Sequence, residues 1–205
     1  MSASASPRVL VLGIGNLLWA DEGFGVRCVE ALAERFVFPE QVTLMDGGTQ
    51  GLYLLPYVEE ADCLLVFDAV DYGDAPGTLR EVCGAEVPRF MGAKKMSLHQ
   101  TGFQEVLASA ELLGRLPREL VLIGCQPVEL EDYGGSLRDE VKAMIGPSLD
   151  LACEWLARWG APATPRSGSA PRLNESSLAM DVYEAGRPSE AEACRFGDAR
   201  FLNED

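Results

Sequence analysis

The stretch VLVLGIGNLLWADEGF, residues 9–24, holds three instructions in succession. An unbroken apolar run comes first, which suits a strand covered on both faces. Gly13-Ile14-Gly15-Asn16 then lets the backbone turn tightly and approach a neighbour closely. Two adjacent carboxylates, Asp21 and Glu22, follow at the expected start of a helix, where negative charge meets the positive end of the helix dipole. Together they read as the first unit of an open α/β sheet, whose chemistry gathers at the carboxyl ends of the strands.

Outward from this unit the alternation continues. Val26, Val29, Leu32 and Ala33 recur at helical spacing, predicting a helix over 25–36 that Pro39 stops. Strands are expected at 8–12, 42–45, 63–70, 78–83 and 119–125, of which CLLVFDAV is the strongest buried pattern. Leu52, Leu55 and Val58 give one face of a short helix, with Pro56 in its first turn or at a kink. A helix follows from Thr101, with Ser97 or Thr101 as cap. Another spans 137–159, interrupted and restarted at Gly146-Pro147. Residues 88–97 read as irregular and basic, and 126–136 as a loop. The expected fold is α/β: three layers, with an about five-stranded, twisted, mostly parallel sheet flanked by helices, over residues 1–160. Residues 161–171, APATPRSGSAP, read as a linker, and the chain to 205 as a flexible tail with a short helix near 189–196.

Composition narrows the function. Apolar residues make up 47% of the chain, which excludes global disorder, and no apolar run approaches the length of a membrane span. The start MSASASPR lacks the pattern of a secretory signal, so the cytoplasm is the expected location. A formal charge of -15 repels a phosphate backbone and disfavours nucleic acid, while suiting a cation or a basic polypeptide. Six cysteines stand singly with no CxxC pair, against a zinc knuckle or an iron-sulfur cluster. Reduced, buried thiols are the expectation.

Several enzyme classes fail on spacing. The turn at Gly13 and Gly15 would need a third glycine at the position of Leu18 to bind a dinucleotide, and GxxxxGK[ST] is absent. GxSxG and HExxH are absent as well. A thiol nucleophile would have to be Cys125 working with His99. Paired aspartates would be Asp21 with Asp68, or Asp46 with Asp68. The better constellation is Glu22, Asp68 and His99. Glu22 follows the first strand's loop, Asp68 lies near the end of a central strand and His99 precedes a helix, and two carboxylates with one imidazole can hold a divalent cation while leaving positions open. Asp21 and Asp46 are alternative ligands, and Asp71 suits a turn. The bland alternatives are a helix-end charge for Glu22, a loop cap for Asp68 and a structural role for His99.

At this point whole segments carry a resemblance. VLVLGIGNLLWADEGFGVRCVEAL at 9–32, LMDGGTQGLYLLP at 44–56, LLVFDAV at 64–70, APGT at 75–78, SLHQTGFQEVLA at 97–108 and LVLIGCQPVELE at 120–131 resemble, in order, the nickel-iron hydrogenase maturation endopeptidases. The resemblance stops near Gly160. It implies a twisted sheet flanked by helices, with Glu22, Asp68 and His99 as catalytic, metal-contacting residues and Gly47-Gly48 bordering the cleft. It further implies an endopeptidase that removes the carboxyl-terminal extension of a hydrogenase large-subunit precursor, with nickel supplied by that precursor. The wording of 15–25 and the linker resemble members that serve membrane-bound uptake hydrogenases. A non-cutting, nickel-sensing or chaperone-like protein that binds the same precursor is the rival expectation. The oligomeric state stays open, a monomer included.

Overall fold

A computed structural model describes residues 6–91, 98–170 and 172–186, with the side chains of 89–91 and 98–101 outside the description. In chain order the elements are β1 (Val9–Ile14), a 3-10 turn (Ala20–Gly23), α1 (Phe24–Arg35), β2 (Phe36–Val37) and β3 (Val42–Gly48). A second 3-10 turn (Gly51–Leu54), α2 (Leu55–Glu60), β4 (Cys63–Ala69), β5 (Leu79–Cys83) and α3 (Glu86–Met91) come next. Then follow α4 (Leu98–Leu112), β6 (Glu119–Cys125), α5 (Asp139–Lys142), α6 (Ile145–Arg158), β7 (Thr164–Pro165), a third 3-10 turn (Ser176–Leu178) and α7 (Met180–Ala185).

The main sheet has five strands in the order β3-β1-β4-β6-β5. β1, β3, β4 and β6 run parallel, while β5 closes the β6 edge antiparallel. The three-layer α/β expectation holds. Alternation along each strand splits the core into two halves. Val9 and Val11, Leu65 and Phe67, Val121 and Ile123 pack with buried residues of α1 and α6. Leu10 and Leu12, Leu64 and Val66, Leu120 and Leu122 pack against Val58, Val87, Phe103 and Leu107 on the other side. Because both faces are covered, the central strands read as continuous apolar runs rather than alternating ones.

Local expectations resolve in particular ways. Pro56 sits in the first turn of α2, where a missing N–H costs nothing. The break in the last helical region falls at Ala143-Met144 between α5 and α6, ahead of the expected Gly146-Pro147. Pro147 is accommodated in the opening turn of α6. Part of the segment expected to be irregular is helical, since α3 runs through Pro88 to Met91. Thr101 lies inside α4 and does not cap it.

The largest difference lies beyond Gly160. β7 pairs antiparallel with β2, and Ala161 is fully buried. Arg166 donates from Nε to the Ala33 carbonyl at 2.9 Å and from Nη2 to that of Phe36 at 2.8 Å. Leu173 and Met180 pack on the α1–α6 core. Arg27, 3% exposed, donates to the Leu178 carbonyl, and Lys142 pairs with Glu184 at 2.7 Å. Thus 161–170 and 172–186 lie along the domain, held by specific partners that composition does not reveal. The helix expected at 189–196 lies outside the described residues.

Candidate active site

Because β1, β3, β4 and β6 are parallel, the segments leaving them share one rim. After β1 the chain turns at Gly15, whose φ of +135° favours glycine and where a Cβ would overlap the Glu22 carbonyl oxygen. Gly25, at the start of α1, lies against the carbonyl oxygens of Ile14 and Phe67, leaving no room for a side chain. These contacts seat the 3-10 turn carrying Glu22 on the end of β4, with which it packs. The glycines of the opening stretch therefore serve helix-on-strand packing and make no phosphate cradle.

Glu22 is half-buried, and that burial pushes its carboxyl up to about 7. Asp68, near the end of β4, is fully buried on the face shared with Leu64 and Val66. His99 is the second residue of α4, and its side chain lies outside the described residues. One turn further along α4, Gly102 meets Gly51 of the second 3-10 turn backbone to backbone, on the segment that leaves β3 through Gly47-Gly48. The fold thus brings the segments of Glu22, Asp68 and His99 to one rim. Among the described residues no three His, Cys, Asp or Glu side chains gather to hold a metal. The donor chemistry of Glu22 and Asp68 nevertheless fits a divalent cation, because two carboxylates withdrawn from water are stabilised by positive charge.

The alternatives fare differently. Asp21 is fully buried and spent on the backbone. Its Oδ2 accepts the N–H groups of Val128 and Glu129 at 2.8 and 2.9 Å, and its Oδ1 that of Arg138 at 2.7 Å. It fastens the loop after β6 to the turn after β1. Asp46 stands in register with Gly13, on the α1 face, among Arg27, Glu30 and Asn174. Asp68 is on the opposite face, so the proposed Asp46–Asp68 pair does not form. Cys125 also belongs to the α1–α6 core, and burial pushes its thiol up to about 12, the wrong state for a nucleophile. Asp71 serves the turn, accepting from the Gly73 N–H and from Gln126 Nε2.

Two structural devices at the rim carried no sequence signal. Gln126 ties the end of β6 to the loop after β4, its Oε1 accepting the N–H groups of Tyr72 and Asp74 at 2.7 and 3.2 Å. Trp19 bridges to Tyr133 through the backbone, and their rings meet edge to face at 5.3 Å. A bulky residue in each of two loops hints at such a contact only once the loops are known to be neighbours.

Comparison with known proteins places this geometry. A family model described as hydrogenase maturation protease matches residues 26–155. The chain is 64% identical over 198 residues to the hydrogenase expression/formation protein HupM of Azotobacter chroococcum, covering 97% of this chain and 95% of that one. It is 42% identical over 160 residues to the hydrogenase 2 maturation protease of Escherichia coli, covering 78% of this chain and 96% of the other. Among solved structures, the hydrogenase maturating endopeptidase HybD from E. coli superposes with a TM-score of 0.74 at 41% identity, over 78% of this chain and 98% of that chain.

Proposed function

Since the chain belongs to the hydrogenase maturation protease family, we propose that it is the endopeptidase that removes the carboxyl-terminal extension of a nickel-loaded [NiFe]-hydrogenase large-subunit precursor. The observation that carries this reading is the seating of the Glu22 turn on the end of β4, which gives two carboxylates in contrasting surroundings one rim. Nickel is taken here as part of the substrate. Glu22, Asp68 and His99 are the residues assigned to meet it, so that cutting is coupled to correct metal insertion. When bound, the ion supplies a Lewis acid that polarises a carbonyl.

The residues of the chain do the rest. Asp68, withdrawn from water on a rigid strand, fixes the position of one anionic donor. Glu22, with its carboxyl near 7, holds a proton on its own oxygens for part of the time at neutral pH and releases it as positive charge approaches. Once ionised, the same carboxyl can take a proton from the attacking water, whose hydroxyl joins the carbonyl carbon, and pass it to the departing amine. The acidic balance of the chain suits a precursor tail that carries basic residues. Among the described residues no helix is long and apolar enough to cross a membrane, and we assign the activity to the cytoplasm. The non-cutting reading is not favoured, since the matching family model, the E. coli relative and its solved structure bear protease or endopeptidase names.

Incubating the purified chain with nickel-loaded precursor and following precursor mass tests this function. Loss of a carboxyl-terminal peptide is expected, slowed about 100-fold or more by alanine at Glu22, Asp68 or His99. An unchanged precursor mass with the intact chain refutes it.

A further inference from the structure

The chain between β6 and α5, residues 126–138, forms no helix and pairs as strand at Tyr133 with Trp19. Its inner side is fastened to the turn that opens α1. The Gly134 N–H donates to the Leu18 carbonyl at 2.7 Å, and that of Ala20 to the Gly135 carbonyl at 3.2 Å. The Asp21 N–H donates to the Glu129 carbonyl at 3.1 Å, while the Asp21 carboxylate takes the amides of Val128, Glu129 and Arg138. Loop and turn therefore form one unit, and that unit carries Glu22. Its outer side is held from the C-terminal segment. Ser136 Oγ donates to Glu184 Oε1 of α7 at 2.8 Å. Glu184 is in turn fixed from α5, whose Lys142 Nζ reaches both carboxylate oxygens, at 2.7 and 2.8 Å. The segment leading to α7 is tied to α1, where Arg27 donates to the Leu178 carbonyl at 2.6 Å. A circuit closes: from α1 through Arg27 to the C-terminal segment, from Glu184 through Ser136 to the loop, and from the loop through Asp21 back to the turn.

We propose that Glu184 is a positioning residue for the cleavage reaction: through Ser136 it fixes the 126–138 loop, and through that loop the turn on which Glu22 meets the scissile bond. The inference rests on the assignment of Glu22 to the site. The ends of the loop are anchored, at Gln126 by its bonds to the Tyr72 and Asp74 amides and at Leu137 by burial in the α1–α6 core. Its middle, with Gly134 at a φ of +75° and Gly135 beside it, has no regular structure to stiffen it and keeps its place through its partners. A catalytic group displaced by about 1 Å can cost about 100-fold in rate, so a brace that acts on Glu22 through a loop is worth a several-fold share of that. α7 lies beyond residues 26–155, which the family model matches, so this device belongs to the extension and not to the shared domain. The C-terminal segment thus gains a part in the reaction besides covering core.

Six chains test this: the wild type, Glu22→Ala, Ser136→Ala, Ser136→Thr, Glu184→Ala and the double variant Ser136→Ala with Glu184→Ala. For each, kcat and KM are measured on nickel-loaded precursor, and the chain is melted. Ser136→Ala removes one hydroxyl and leaves the Lys142–Glu184 pair. It is expected to lower kcat about fivefold at unchanged KM, with the melting midpoint within about 2 °C of wild type. Glu184→Ala should lower kcat about fivefold to tenfold in its folded fraction, again at unchanged KM. The double variant should be no slower than Glu184→Ala, because the two side chains act through one bond. Ser136→Thr keeps the hydroxyl and should keep wild-type kcat. Wild-type kcat in Ser136→Ala and Glu184→Ala, whatever their midpoints, beside an inactive Glu22→Ala, overturns the inference and leaves the assignment of Glu22 standing. Glu22→Ala at the wild-type rate, or a wild type that leaves the precursor uncut, overturns the reading of the site, and the inference with it.

Discussion

Asp21 and Glu22 are adjacent in the chain and do opposite work. The Asp21 carboxylate is fully buried and accepts three backbone N–H groups from residues 128, 129 and 138, whereas Glu22 is half-buried on the turn seated at the end of β4. One carboxylate builds the rim, and the other is carried on it.

Replacing Asp21 by alanine leaves three amides without their acceptor. The expected cost is about 3 kcal/mol or more, at the usual desolvation penalty of roughly 1–3 kcal/mol for each buried orphan. Urea unfolding measures it. If Asp21→Ala instead matched wild-type stability, the loop clamp would not be its role.

Glu22 makes folding depend on pH in a definite direction. A carboxyl held higher in the folded chain than in the unfolded one binds its proton more tightly when folded. Its contribution is therefore full below the ordinary carboxyl value of 4.5 and is lost as pH rises through about 7. In metal-free buffer the melting midpoint of the wild type, measured relative to Glu22→Gln, should fall across that window. Parallel profiles for the two chains would contradict the burial-raised carboxyl.

Cys125 sits among α1 and α6 with a thiol pushed up to about 12. Cys125→Ala should process precursor within about twofold of wild type, since a thiol kept protonated is no nucleophile. Abolished cleavage in a folded Cys125→Ala chain would reinstate a cysteine mechanism.

A chain ending at Gly160 loses the β2–β7 pairing, the Arg166 bonds, the Leu178 acceptor of Arg27 and the Lys142–Glu184 pair. It also uncovers core flanked by Leu173 and Met180. Its transition should stay cooperative but fall by about 5–10 °C, a size set by a few kcal/mol in a domain of this length. An unchanged midpoint would mean that the 161–186 segment lies on the surface without stabilising it.

The sheet was legible because both of its faces are covered. Buried parallel strands must be apolar at every position, so VLVLGI, CLLVFDA and LVLIGC announce themselves whatever follows them. The contrast between Asp21 and Glu22 was not legible, since a carboxylate's partners here come from a loop more than 100 residues away. Nor was the course of residues 161–186, whose Pro/Ser/Gly-rich opening is the composition of a linker. Arg166 reaches back to the carbonyls of Ala33 and Phe36, Arg27 meets that of Leu178, and no side-chain pattern records a carbonyl.

The amino-acid sequence by itself determined which runs are core and where glycine must turn the chain. It could do so because burial and backbone conformation are short-range demands on residue type. Which face each side chain joins, and what it meets there, was decided by the tertiary structure alone. Strand register set Asp46 and Cys125 on the α1 face, and Asp68 on the other. Register is a property of paired strands, and a shift of one residue would exchange the two faces.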